Sequence, residues 1–282
     1  SERGVRFVQV YSGAGQPWDL HDDLEQGMRR LCGDADRAIA ALLAAPEALT
    51  TLQDLLRHMP DVARAISRLS LGRGGPRDLG LLRQALARLP ALQQQLVKLP
   101  AVAALCPLAQ PTLMPLSATL QQALNDDPLP LLAREGEFIR AGFCPVYDGH
   151  HRLATAGLQA VQQLERQEAE RLGISSLKIK YNKVWGYFIE ITNTHKAKIP
   201  TEYIHRQTNS TGQRFSTPAL MELERALSEA SHLAAARSLE LFDDLVRQVV
   251  AAAAAWFALA EAVATLDVLA GGATLAQRQR YV

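Results

Sequence analysis

The chain has 282 residues, 48% hydrophobic and 21% charged, with a formal net charge of +1. That is an ordinary globular composition, long enough for one large domain or two modest ones with real cores. No stretch of about eighteen uncharged apolar residues occurs, so no membrane span is expected. The most apolar run, 249–260, is alanine-rich and too short. Ser1-Glu2-Arg3 lacks the charged-then-apolar layout of an export signal. Cys32, Cys106 and Cys144 are scattered and form no CxxC, which argues against a zinc site or a disulfide framework and for a reducing, cytoplasmic setting.

In chain order, residues 6–11 (RFVQVY) allow a short strand and Gly13 to Pro17 a turn, while the role of residues 1–30 stays open. Helical periodicity starts near Leu20 and runs to the glycine-rich break at Gly72–Pro76, with Pro46 and Pro60 marking boundaries. Pro76 opens another helix, carrying Leu79, Leu82, Leu86 and Leu89 at three- and four-residue spacing. Prolines at 100, 107, 111, 115, 128 and 130 divide the following stretch into short helices and connections.

From Leu153 to Leu172 a narrow stripe of Leu153, Gly157, Ala160, Leu164, Glu168 and Leu172 predicts a helix of about 30 Å, ended by Gly173. The period then falls to two. Residues 178–181 and 186–192 are rich in β-branched and aromatic types and read as a hairpin around a four- or five-residue loop. Two more extended pieces, 203–208 and 214–217, flank a turn at Thr211-Gly212. Pro218 starts the longest periodic stretch, with Leu220, Leu223, Leu227, Ala230, Ala234, Leu241, Leu245 and Val249 near heptad spacing over about 48 Å. The expected fold is mainly α: a helical core, and two long antiparallel helices carrying a small antiparallel β module at their tip.

Charge is uneven along this layout. Residues 177–217 hold Lys178, Lys180, Lys183, Lys196, Lys198, Arg206 and Arg214 against Glu190 and Glu202, so the segment is +5 and the remainder −4. Five of the six lysines in the chain sit there, among Tyr181, Trp185, Tyr187, Phe188, Tyr203 and Phe215. A charge run alone is more often a solvated face, but a compact basic patch with aromatics in a mildly acidic body is also an electrostatic footprint for a polyanion. The aromatics read as hairpin core and cross-strand pairs rather than base-stacking platforms.

Other chemistry is weak. Gly72-Arg73-Gly74-Gly75 reads as a helix stop, His150-His151 lacks an acidic or cysteine partner in register for a metal, and Glu222, Glu224 and Glu229 read as helix-surface charge. No catalytic constellation and no GxxxxGK[ST] phosphate loop is present.

Residues 177–192, LKIKYNKVWGYFIEIT, resemble the clamp entry of the MutS mismatch-repair family, LKVxYNxVxGYYIEIT. YIHRQT at 203–208 and RFSTP at 214–218 resemble its YxRRQT and ER[FY]xTPEL. LSLGRGGPRDL at 69–79, REGEFIRAG at 134–142 and LDVL at 266–269 resemble its RLxxGRxxPRDL, REGxxIRxG and LDVL, all in family order. The resemblance implies a helical core at 1–152, an outgoing lever helix at 153–176, a clamp at 177–217, and a returning lever helix with the end of the core at 218–282. It implies duplex DNA as partner, held by backbone contacts at Lys183, Lys196, Arg206, Gln207, Thr208, Asn209, Ser210, Thr211 and Arg214. About five phosphate contacts would give a slope of log K against log salt near −4 to −5.

ATP and Mg belong to the family's ATPase, which this reading places outside the chain; no cofactor and no enzymatic activity are expected of the 282 residues. A second MutS-type subunit and a MutL-type repair partner are implied in the same way, with a cytoplasmic, nucleoid-associated location. Ser210 and Thr211 stand where the family usually has Lys-Asn, and Gly212-Gln213 where it has Ala-Glu, which weakens the expected grip. The alternative reading is a helix-mediated protein-interaction fragment whose clamp has decayed.

Overall fold

The computed structural model describes residues 24–182, 186–210 and 212–281. The strand expected at 6–11, the turn at 13–17, Lys183 and Thr211 lie outside them. Two compact units are formed: one runs through Phe138 and resumes at Phe242, and the other is Ile139–Leu241.

In the first unit, α1 (Leu24–Leu43), α2 (Pro46–Arg57), α3 (Val62–Ser70), α4 (Pro76–Val97), α5 (Pro100–Leu105) and α6 (Met114–Ala123) follow one another at short connections. Proline opens α2, α4 and α5, where its missing N–H costs nothing. Gly72 (φ +64°) ends α3: its N–H donates to the Leu69 carbonyl and the Arg73 N–H to that of Arg68, so the glycine run is a helix stop. The Asp78 carboxylate then accepts the Gly75 N–H at 2.9 Å and Arg68 Nε at 3.1 Å, capping α4. A Cβ on Gly75 would lie 1.8 Å from the Leu131 carbonyl oxygen, so no side chain fits there.

Two long helices, α7 (Pro145–Leu172) and α8 (Pro218–Ala251), precede the last, α9 (Ala253–Gln279). By length and composition α9 is apolar enough to cross a membrane, a looser criterion than the uncharged run used above. It carries Glu261 and Asp267, and it buries Trp256, Leu259, Ala262, Leu266, Leu269 and Ala273 while contacting α1, α2, α3 and α5. It is the central helix of this unit's core.

The second unit holds α7, α8 as far as Leu241, and a four-stranded antiparallel sheet. Pro145 starts α7 eight residues before the expected Leu153, and Leu153 is 62% exposed rather than on the packed stripe. Gly157 does lie on that stripe: a Cβ there would come within 2.1 Å of Leu227 Cδ2, so α7 and α8 approach closely where this residue has no side chain. Gly173 (φ +57°) ends α7 as its sequence predicts, with the Ile174 N–H donating to the Ala169 carbonyl at 2.9 Å.

The strands are β1 (Lys178–Asn182), β2 (Gly186–Thr192), β3 (Ile204–Thr208) and β4 (Gly212–Ser216), in the order β1-β2-β4-β3. Ile189, Ile191, Tyr203 and Phe215 form a core with Ile174, Leu177 and Leu220, flanked by Leu164 and Leu172, so one face of the sheet is buried on the ends of α7 and α8. Carboxylates of both helices take backbone amides the sheet leaves over. Glu165 of α7 accepts the Ile179 N–H at 2.8 Å, and Glu224 of α8 accepts the Tyr187 N–H at 3.2 Å. Gly186 (φ +70°) leaves room for Glu224, whose Oε1 occupies the place a Cβ would take. Glu224 is therefore an anchor of the sheet, not the surface charge expected of it.

Two outcomes follow. Gly157→Leu should destabilise the chain by about 1–3 kcal/mol through overpacking, and Leu227→Ala should recover part of the loss; urea denaturation checks this, and an unaltered midpoint in Gly157→Leu would contradict the close approach. Burial pushes the Glu165 carboxyl up, but the Ile179 N–H and the Lys178 ammonium outweigh it, so it titrates below its ordinary value of 4.5. Stability from this group is present above that value and lost as pH falls through the depressed one. Glu165→Gln should flatten the acid side of the Tm–pH profile, and superimposable profiles would refute the assignment.

Candidate nucleic-acid interface

The outer strand β3 is exposed at all five residues. Its partner β4 begins at Gly212, which sits in the strand rather than in the turn. The turn closes on itself: Asn209 Oδ1 accepts the Gly212 N–H at 2.8 Å, and the Asn209 N–H donates to the Gly212 carbonyl at 3.0 Å. A Cβ on Gly212 would lie 2.5 Å from the Ile191 carbonyl oxygen, so this strand start admits only glycine.

Beside the turn, a 3-10 turn at Asn193–Lys198 carries His195, Lys196 and Lys198. Asn193 Nδ2 donates to the Ser210 carbonyl at 3.3 Å, which brings this basic stretch up against the hairpin. Lys198 is spent on the Gly173 carbonyl at 2.9 Å, at the end of α7. Lys196 is exposed and has no carboxylate partner among the described residues.

A bulge between His205 and Gln207 makes Arg206 the extra residue of β3. Arg206 is exposed; its Nη2 lies 3.8 Å from Met221 Sδ, and no carboxylate among the described residues reaches it. His205 stacks edge-on to Phe215 and shares a 2.9 Å contact with the Thr208 hydroxyl. The sequence-predicted residues Arg206, Gln207, Thr208, Asn209 and Ser210 thus share one edge strand and its turn, and Lys196 lies in the 3-10 turn that Asn193 ties to Ser210.

Arg214 is different. Its side chain is only 26% exposed and lies over the Phe188 ring, 4.7 Å from the centroid. Nη1 donates to Gln207 Oε1 at 2.8 Å, and Nε is 3.7 Å from Glu190 Oε2. Two members of the expected contact set, Gln207 and Arg214, therefore bind each other across the strands.

The basic patch is narrower than the formal charge of the segment predicts. Lys178 pairs with Glu165 at 3.0 Å and Lys180 with Glu190 at 2.8 Å. Among the described residues of the segment, the cations left without a carboxylate are Arg206 on β3, Lys196 in the 3-10 turn, and Lys198, which is bound to a carbonyl. Sequence reasoning missed Glu165, Glu190 and Glu224 as parts of this site. Glu190 alone left a signal, being a glutamate in the middle of an otherwise β-favouring strand.

A second network fixes the approach to β3. The Tyr203 hydroxyl donates to Glu168 Oε2 at 2.7 Å, and Arg171 bonds both Glu168 and Glu202 while lying 5.8 Å from the Tyr203 ring centroid. Burial and the Glu168 carboxylate push the Tyr203 hydroxyl above its ordinary range, so it stays a proton donor. The paired carboxylates likewise hold the Arg171 guanidinium charged. Among the described residues no cluster of His, Cys, Asp and Glu is arranged to hold a metal; the His151 ring stacks on Tyr147 at 5.4 Å.

Comparison with known proteins bears on this site directly. Residues 142–233, which fall within the second unit, match the model of MutS family domain IV, and residues 1–56 match a family described as a protein of unknown function (DUF1501). The chain is 40% identical over 257 residues to the DNA mismatch repair protein MutS of Rhizobium meliloti (strain 1021), covering 86% of this chain and 28% of that protein. It is 40% identical over 238 residues to that of Myxococcus xanthus (strain DK1622), covering 82% and 26%. Against the MutS of Rhodopseudomonas palustris (strain BisB18) the figures are 38% over 272 residues, 92% and 29%. The chain spans little more than a quarter of the length of these curated relatives. Through the shared domain, and through identity that runs along most of its length, the chain belongs to the MutS family.

Proposed function

We propose that the β module holds duplex DNA by its sugar–phosphate backbone, without reading base sequence. The observation that carries this reading is a pair of open cations: Arg206 on the exposed strand β3 and Lys196 in the 3-10 turn are exposed, with no carboxylate among the described residues to neutralise them. Cations so placed can meet phosphates, and Gln207, Thr208 and Ser210 add hydrogen-bonding groups that carry no sequence code. Lys183, Asn209, Thr211 and Arg214 complete the proposed contact set, Arg214 after leaving its place over Phe188. The relatives' name, DNA mismatch repair protein, supports the same partner.

ATP and Mg act in the family through an ATPase that these 282 residues do not supply, and α7 and α8 couple the held duplex to it. A second MutS-type subunit and a MutL-type partner complete the assembly, in a cytoplasmic, nucleoid-associated setting.

The pairing of Lys178, Lys180 and Arg214, together with Ser210 in the turn, favours a second reading: a helical protein-interaction segment whose clamp no longer binds DNA. Duplex binding by the 282-residue chain separates the two. With three to four phosphate contacts, log K should fall against log salt with a slope of about −3, shallower than the formal charge predicts. Arg206→Ala and Lys196→Ala should each reduce the slope by about 0.9, while Arg206→Glu should weaken binding at low salt by about tenfold or more. Duplex affinity indifferent to Arg206→Glu, or no binding at low salt, would select the second reading.

A further inference from the structure

Glu190 sits in the middle of β2, opposite Lys178 on one side and Arg214 on the other. Alternation along the strand puts Ile189 and Ile191 into the core, so Phe188 and Glu190 share the opposite face with Lys180 and Arg214. One Glu190 oxygen accepts Lys180 Nζ at 2.8 Å, and the other lies 3.7 Å from Arg214 Nε. Its partners among the described residues are these two cations alone. Glu165 is unlike it, since that carboxylate also carries a backbone amide of β1. Glu190 supports no amide; it neutralises charge.

Arg214 is poorly satisfied where it lies. Its Nε is buried and has no hydrogen-bond acceptor among the described residues, because the Glu190 oxygen is beyond bonding distance. Stacking on Phe188, one bond to Gln207 and the attraction of Glu190 keep it there. The Lys180 side chain is 53% exposed, so its ammonium can leave Glu190 for another anion without unfolding anything. A carboxylate and a phosphate present the same chemistry to an ammonium or a guanidinium.

We propose that Glu190 is an internal competitor for the phosphate backbone, occupying Lys180 and Arg214 and thereby setting how tightly the module holds a duplex. The proposal rests on the duplex-binding reading above. With Glu190 ionised, the three side chains present a net charge of +1; without its charge they present +2, and both cations are free to neutralise phosphates. The grip of the module is thus set below what its lysines and arginines can deliver.

The test is anisotropy of a fluorescent duplex of mixed sequence titrated with the full 282-residue chain over a range of salt. Glu190→Gln keeps the shape of the side chain and an acceptor for Lys180, and an unchanged Tm verifies that the fold is retained. This variant should bind about three- to tenfold more tightly at low salt, with a slope steeper by about 0.9 to 1.8 as one or two further phosphates are neutralised. Glu222→Gln, the same charge change at an exposed carboxylate paired with Arg225, should gain less than about twofold. In a Lys180→Gln, Arg214→Gln background the Glu190→Gln gain should vanish. Binding by Glu190→Gln no tighter than the parent, an equal gain in Glu222→Gln, or a gain that survives in the doubly substituted background overturns the proposal while leaving duplex binding intact. Absence of binding by every variant at low salt overturns both.

Discussion

A sheet of four strands, five to seven residues each, has an apolar face that must be buried against another element. Here Ile189, Ile191 and Phe215 from the sheet, with Tyr203 just before β3, close on Ile174, Leu177 and Leu220 at the ends of two helices. That apolar contact fixes which faces of β1, β2 and β4 turn toward the helices, while β3 stays exposed along its length. The carboxylates of Glu165 and Glu224 complete it by taking amides of β1 and β2 that no neighbouring strand reaches. Remove the contact and nothing orients β3 as an edge; the basic residues would then be only a charge run on a loop.

Much of this was legible in the residues. The period-two pattern of Ile179, Tyr187, Ile189 and Ile191 names the buried face of the first hairpin. Pro76 and Gly173 mark a helix start and a helix stop by backbone geometry that few other residues share. The start of α7 was less legible. Apolar periodicity suggested Leu153, whereas the helix begins at Pro145 and Leu153 faces solvent. The proline in the first turn marks where this helix begins; the apolar stripe does not.

The electrostatics were the least legible part. Counting charges along residues 177–217 treats the segment as isolated, but Lys178 is neutralised from α7, outside the count, and Glu190 serves both Lys180 and Arg214. Such pairings join different elements, so no local spacing rule reveals them. The same holds for Gln207 and Arg214, which sequence logic sends jointly toward a ligand and the fold joins to each other. What survives as open positive charge is decided by strand register rather than by composition.

Register also explains the bulge at Arg206. In an uninterrupted ladder, counting on from the His205–Phe215 pair would set Arg206 directly opposite Arg214. Two guanidinium groups facing each other across neighbouring strands repel. The extra residue moves the count on by one, so an amide oxygen, that of Gln207, meets Arg214 instead. Arg206 is left outside the pairing, where its side chain can change identity without disturbing the ladder. Excising Arg206 would leave Gln207 opposite Arg214 in a regular ladder, whereas excising Gln207 would set Arg206 against Arg214 and turn a hydrogen-bonded pair into a clash of like charges.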